Sequence, residues 1–311
     1  MSICTIKEVP AVKHIFIINP AAGKFDHTGE FTQTIQDACK RAGVISEVLV
    51  SRGPGDCTKI AQAAAASGEE VRIYACGGDG TLNEVVNGVV GYPNAAITNF
   101  PGGSGNDFLR IFSDPSAFRS CERLLDAEVA EFDLIRCGDH YSINICSMGV
   151  DARIGTSMSK YKKLPLVSGA GAYWLSTGVH LIKGLSRHYV VELDGQTIDK
   201  ELTMICVANA RWYGSGFNPV PDAQPDDGML DVLLVNKISR LQAAGVIGKY
   251  KAGRYKELPH IITAYRCKEV TIHCDEPSEI NLDGELLMAK DATFEVVPKA
   301  IRFFYPKGLT Y

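Results

Sequence analysis

No Cys-x-x-Cys pair occurs in the 311-residue chain, although it holds ten cysteines, at positions 4, 39, 57, 76, 121, 137, 146, 206, 267 and 274. Without pairing or regular spacing they exclude a disulfide scaffold and suit free thiols in a reducing cytosol. Positive charge is not in excess: 36 acidic residues against 32 basic ones leave a net of −4, so no global field recommends nucleic acid as a partner. The seven histidines form no metal-spaced pair, which argues against zinc. Met1 to Pro10 lacks the charged start, apolar core and cleavage site of a signal peptide, so a cytoplasmic protein is expected. The longest uncharged stretch, Leu164 to Ile182, includes Pro165, His180 and several glycines. It is too polar for a membrane span and reads as a partly buried helix and loop. No internal repeat or low-complexity tract is present.

What the chain does have is apolar residues, 46% of the total, and 30 glycines, above the roughly 7% of average proteins. Its first third alternates strand and helix patterns. Val12 to Ile18, Ile45 to Val50, Val71 to Cys76 and Ala95 to Phe100 are apolar, β-branched runs. Between them lie helical periodicities: Phe31 to Ala42 closed by Gly43, an alanine-rich helix from Asp56 to Gly68, and Thr81 to Val90. Asp114-Pro115 opens a further helix. Such alternation implies a parallel sheet covered on both faces. Beyond about residue 131 the pattern changes to short strands joined by Gly-Asp and Asp-Gly turns, among them Tyr141 to Cys146, Val270 to Cys274, Glu279 to Leu282, Phe294 to Val297 and Ile301 to Tyr305. The expected fold is α/β plus β. A three-layer α/β domain spans 1–131 with a C-terminal return near 300–311, and an antiparallel β-sandwich spans 132–299 with a helical insertion around Tyr161 to Arg187.

Cys76-Gly77-Gly78-Asp79-Gly80-Thr81 lies between a predicted strand and a predicted helix. Glycines let the backbone approach an anion, and the helix start aims unpaired N–H groups and its positive dipole end at it. Thr81 and Glu84 have capping-box spacing. Asp79, a carboxylate in a phosphate loop, calls for a cation such as Mg²⁺. Pro101-Gly102-Gly103-Ser104-Gly105-Asn106-Asp107 has the same character, and the first strand ends in Asn19-Pro20-Ala21-Ala22-Gly23-Lys24. Three such loops at the ends of parallel strands point to a nucleotide or polyphosphate site in the crevice that open α/β sheets use. A P-loop, a dinucleotide fingerprint and a nucleophile elbow are each excluded by spacing.

Asn-Pro-x-Ala-Gly-Lys, Gly-Gly-Asp-Gly-Thr, Pro-x-Gly-Ser-x-Asn-Asp and, near the C-terminus, Leu282-Asp283-Gly284-Glu285 together resemble the diacylglycerol kinase catalytic-domain family, above all its bacterial soluble lipid kinases. The resemblance runs from about Ile15 to Tyr305 and implies ATP in a cleft between an N-terminal nucleotide domain and a C-terminal sandwich. By that resemblance Asn19, Pro20, Ala21, Ala22, Gly23, Ser51, Gly77, Gly78, Asp79, Gly80, Thr81, Asn83, Glu84 and Ser104 hold the nucleotide, Asp283 is the general base, and Glu285 faces the ATP. Ser104 stands where threonine is usual, and the hydroxyl survives. Asp226-Asp227-Gly228-Met229 resembles the family's structural Mg²⁺ site, with Asp227 and backbone oxygens of Gln224 and Met229 as ligands.

Read from the residues alone, Asp283-Gly284 is a common hairpin turn and the Asp226-Asp227 stretch an acidic turn. The expected reaction is transfer of the ATP γ-phosphate to a hydroxyl of a membrane lipid, diacylglycerol leading. An NAD kinase and a non-catalytic nucleotide-binding regulator are the alternatives. Membrane contact is expected to be peripheral, through Lys160, Lys162 and Lys163 or through Lys249, Lys251, Arg254 and Lys256. An exposed sandwich edge would support a homodimer.

Overall fold

The computed structural model describes residues 12–23, 26, 28–102, 105–154 and 185–311. The chain forms two compact units. The first draws on residues 1–103, Ser116–Ala130 and Ile301–Thr310, and the second on 104–115, Glu131–Ala300 and Tyr311. Residues 104–115 therefore pack with the second unit, not with the first, where the sequence reading placed them.

In the first unit β1 (Lys13–Ile18), β2 (Ser46–Val50), β3 (Val71–Gly77) and β4 (Ala95–Pro101) pair in parallel in the order β2-β1-β3-β4. The end of the last strand, β13 (Glu285–Pro306), closes the far side, pairing Arg302 with Ala96 and Phe303 with Ile97. Continuous apolar runs suit strands buried on both faces: Phe16, Ile17, Ile73, Tyr74 and Ile97 are all inaccessible. The Phe16 and Tyr74 rings stack at 3.9 Å, and Phe304 meets Tyr74 edge-on at 4.9 Å.

Helices supply the covering layers. α1 (Thr28–Ala42) packs with the short α4 (Cys121–Leu125), and α2 (Asp56–Ala65) packs with α3 (Asp79–Val89). Gly88 permits that second contact, since a Cβ there would lie 2.5 Å from the Thr58 carbonyl oxygen. α1 stops at Gly43, whose φ of 67° is the left-handed conformation a helix end favours. This unit is the three-layer α/β domain.

In the second unit β5 (Ala127–Cys137), which begins in the first, leads to β6 (His140–Ser142), β7 (Ile145–Gly149), β8 (Arg187–Leu193), β9 (Gln196–Ala208), β10 (Leu230–Asn236), β11 (Ile262–Cys267), β12 (Glu269–Leu282) and the first part of β13. The strands follow the order β11-β10-β9-β7-β12-β13, with β8 beside β12 and β9 and with β5 beside β13 and β6. Ile135, Met148, Val191, Val207, Ile272, Ile280 and Phe294 belong to the sandwich core. A second apolar cluster joins Ile145, Cys206 and Leu233 to Val246 and Tyr250 of α5 (Arg240–Lys251). Among the described residues, nine cysteines are free and buried.

Several boundaries differ from the sequence reading. Tyr141 to Cys146 is two strands, broken at Ile143 and Asn144. The runs from Val270 and from Glu279 are one strand, β12, with a bulge between His273 and Ser278, and the last two expected strands are one, β13. The expected helical insertion and Leu164 to Ile182 fall almost wholly within 155–184, outside the described residues.

Candidate functional site

Three loops of the first unit meet at the C-terminal ends of β1, β3 and β4. Asn19 follows β1, and its backbone N–H donates to the Cys76 carbonyl at 3.0 Å. Its side chain does two things: Oδ1 accepts from the Ala21 N–H at 3.0 Å, shaping Pro20, Ala21, Ala22 and Gly23, and Nδ2 donates to Thr81 Oγ1 at 3.0 Å. The Gly102 N–H donates to the Gly77 carbonyl at 2.9 Å, joining the β4 and β3 loops. Gly23, at φ 90°, faces the Gly102 carbonyl, which a Cβ would reach at 3.0 Å. Only glycine fits at Gly77, where a Cβ would sit 2.3 Å from Thr81 Oγ1. Ser51, buried at the end of β2, donates its N–H to the Ile18 carbonyl at 2.9 Å.

The helix behind the second loop starts earlier than expected. Gly78 is its N-cap and Asp79 its first residue, with no side-chain cap, so the Thr81–Glu84 capping box does not form. Thr81 is buried one turn in and spends its hydroxyl on Asn19. Glu84 Oε2 accepts from the Cys57 N–H at 3.1 Å, tying α3 to α2, and buried Asn83 accepts from Asn87 Nδ2. Thr81, Asn83 and Glu84 thus shape the loop from behind. Asn19 to Gly23, Gly78, Asp79 and Gly80 form its face. Bare backbone at Gly78 and Gly80 in the first turn of α3, with its N–H groups and dipole, fits a phosphate, and the Asp79 carboxylate fits its cation. Ser104 lies outside the described residues.

In the second unit, Asp283 sits at φ 49° in the turn between β12 and β13. Oδ2 accepts from the N–H groups of Ile143 and Asn144 at 2.8 and 3.1 Å, and Oδ1 from the Ile145 N–H at 2.9 Å. Burial lifts the carboxyl to about 6, against the opposing pull of these three donors. A carboxyl poised there takes a proton near neutral pH. Glu285 is exposed at the start of β13. Asn281, which sequence reasoning missed, accepts the Gly284 N–H at 2.8 Å and fixes this turn. Its only signal is its place two residues before the aspartate.

The 224–229 loop is wired by protein partners. Asp227 Oδ1 accepts the Met229 N–H at 3.0 Å, and Oδ2 pairs with the Arg266 guanidinium, whose Nε lies 3.4 Å from Asp231. Gln224 Oε1 accepts from Arg211 at 3.1 Å. Buried Asp133, also missed, accepts from the Gly228 and Lys299 N–H groups at 2.7 and 2.8 Å. Each Asp227 oxygen accepts from one protein donor and keeps a further lone pair, so the expected Mg²⁺ would share this carboxylate with the guanidinium. A guanidinium already balances its charge.

The second expected docking patch runs from the last turn of α5 into the residues after it. Lys249 and Arg254 pair with Glu257, Lys256 pairs with Asp222 at 2.7 Å, and Lys251 lies over the Phe217 ring. Two acids, Glu257 and Asp222, meet part of the charge of these four cations. Lys160, Lys162 and Lys163 lie outside the described residues. Among the described residues no helix is long and apolar enough to cross a membrane.

Comparison with known proteins agrees with this arrangement. Residues 13–137 match the diacylglycerol kinase catalytic domain, and residues 144–305 match the YegS C-terminal NAD kinase beta sandwich-like domain. Staphylococcus aureus proteins of strains JH9 and MRSA252, both named "Putative lipid kinase", are 27% identical over 279 residues, covering 88% of this chain and 90% of theirs. Two Bacillus anthracis structures share the fold. One, described as "a putative diacylglycerol kinase", has a TM-score of 0.73 at 20% identity, covering 96% of this chain and 98% of its own. The other, described as a diacylglycerol kinase, has 0.67 at 21%, covering 95% and 97%. With matched domains running from β1 to the end of β13, the chain belongs to the diacylglycerol kinase catalytic-domain family of lipid-kinase-like proteins.

Proposed function

We propose that the protein is an ATP- and Mg²⁺-dependent lipid kinase that transfers the γ-phosphate to a hydroxyl of a membrane lipid, with diacylglycerol the leading acceptor and phosphatidic acid the product. The observation that carries this is the knot of loops at the ends of β1, β3 and β4, held by Asn19, Thr81 and the Gly77–Gly102 bond. In this reading the loop face from Asn19 to Gly23 and from Gly78 to Gly80 holds the nucleotide phosphates, and Asp79 and Glu285 serve the Mg²⁺·ATP. Mg²⁺ would spread charge over the transferring group. Asp283 takes the proton of the acceptor hydroxyl, and Ser51 and Ser104 complete the nucleotide pocket. The lipid is met at a membrane surface by peripheral contact.

Incubating the purified protein with γ-labelled ATP and a panel of lipid alcohols in mixed micelles, with NAD as a further acceptor, tests the reading. Label in lipid supports it. Label in NAD alone replaces it by an NAD kinase, and ATP binding without transfer replaces it by a regulator.

A further inference from the structure

The second unit holds a cavity of about 180 Å³ where β7 ends and α5 crosses the sheet. Its apolar walls include Val150, Ile154, Met204, Phe217, Val246 and Ile247. Four polar side chains also line it among the described residues, and each is already hydrogen-bonded within the protein. Asp151 Oδ2 accepts from Ser147 Oγ at 2.8 Å, and the Tyr213 hydroxyl also donates to this carboxyl. Tyr213 and Tyr250 share a hydrogen bond at 3.2 Å. Thr203 Oγ1 donates to the Asn236 carbonyl at 3.0 Å and meets Ser186 Oγ at 2.9 Å. Burial raises the pKa of Asp151 and holds both tyrosines well above theirs, so neither phenol ionises near neutral pH. The lining is mainly apolar, and its few polar side chains are tied to one another or to the backbone, which suits a hydrocarbon occupant.

Size and position narrow the occupant further. An apolar cavity of roughly 150 Å³ holds one benzene-sized group, so this one has room for a single alkyl segment and not for two. It opens at the far end of β7 from Asp283. The aspartate grips the backbone at Ile143 to Ile145, and the cavity begins at Val150, five residues on. At about 3.3 Å per residue that is roughly 17 Å. A line of side chains joins the two places: Asn281, which fixes the Asp283 turn, contacts Ser147 Oγ at 3.5 Å, and Ser147 holds Asp151.

We propose that this cavity receives one hydrocarbon chain of the acceptor lipid, so that recognition rests on a single long chain and a second chain adds little. The inference rests on the lipid-kinase reading. The ruler along β7 makes the enzyme selective for chains long enough to reach from a hydroxyl at Asp283 into the cavity.

Ala243→Phe and Ile247→Trp each fill the cavity from α5, Ile247 being 44% exposed at its edge. Wild type is expected to favour palmitoyl- over butyryl-glycerol in kcat/KM, with dipalmitoylglycerol within a few-fold of the monopalmitoyl acceptor. Each variant is expected to cut the palmitoyl-to-butyryl ratio by about tenfold or more, equivalent to about 1.4 kcal/mol, and to abolish binding of a pyrene-labelled long-chain alcohol followed by fluorescence. An unchanged ratio and unchanged probe binding in both variants overturns the cavity assignment even if lipid is phosphorylated. If wild type phosphorylates no lipid yet binds the probe, and both variants lose it, the cavity stands and the kinase reading falls.

Discussion

Replacing Asp283 by asparagine separates two jobs that this carboxylate performs. Asparagine tolerates the left-handed backbone at φ 49°, so the turn itself is not strained. Its amide, however, offers one oxygen and one NH₂ where the carboxylate offered two oxygens. The best placement keeps the oxygen toward the N–H groups of Ile143 and Asn144 and leaves the Ile145 N–H facing another donor. One buried, unsatisfied N–H costs about 1–3 kcal/mol. For a unit of this size each kcal/mol lowers Tm by about 2–4 °C, so Tm falls by roughly 2–12 °C, and a stability of about 5–15 kcal/mol leaves the protein folded at room temperature. Loss of a general base, by contrast, costs about 10²–10⁴ in turnover. Calorimetry for Tm and for ATP affinity, with labelled-phosphate transfer for kcat, reads the effects apart. In wild type the acid limb of the pH–rate profile should bend near 6, where burial places this group, and the rate should fall as pH drops below that value. A variant that turns over within a few-fold of wild type, with Tm lowered as calculated, would leave Asp283 only its structural job.

Other perturbations have equally definite outcomes. Gly77→Ala drives a Cβ to 2.3 Å from Thr81 Oγ1, so it should cost at least about 1–3 kcal/mol in chemical denaturation. Gly80→Ala meets no atom within 4 Å and should leave stability equal or higher, yet weaken ATP in calorimetry if phosphate rests on that turn. Unchanged ATP affinity would remove the loop from the site. His14 is buried against Tyr74, and burial with the nearby Arg72 charge lowers its pKa from 6.5 to about 4. The unfolded chain therefore binds the extra proton between those values, and stability should fall by about 3 kcal/mol as pH drops through this window. His14→Phe should flatten that dependence in pH-resolved melts, and a persistent slope would assign it elsewhere. Because Arg266 already balances Asp227, EDTA should not lower Tm, whereas Arg266→Ala should make Tm respond to Mg²⁺. A fall of wild-type Tm on chelation would restore a metal to that loop.

Local pattern made the first unit legible. Continuous apolar strands, Gly43 at a helix end and glycine loops at strand ends are each written within a few neighbouring residues. What was not legible depends on partners far along the chain. The break between β6 and β7 at Ile143 and Asn144 exists because their N–H groups turn to Asp283, some 140 residues away. Thr81 and Glu84 have capping-box spacing, yet tertiary partners, Asn19 and Cys57, claim both side chains. The gaps expected at 275–278 and 298–300 are not breaks: a bulge absorbs the first, and β13 passes the second with Lys299 at φ 52° held by Asp133. That Glu257 and Asp222 stand beside Lys249, Arg254 and Lys256, and meet part of their charge, is likewise seen only in the folded chain. Asp283, by spacing alone, was a turn; its three backbone donors and raised pKa emerge only in the folded chain.

Transfer of label from γ-labelled ATP in the presence of Mg²⁺, to a micellar lipid panel that includes diacylglycerol and to NAD, with Asp283→Asn alongside, is the most direct test of the proposed chemistry. Phosphorylated lipid from wild type, reduced about 10²–10⁴ in the variant at unchanged ATP affinity, is the expected result. Label in NAD but in no lipid, or tight ATP binding with no transfer to any acceptor, would contradict it.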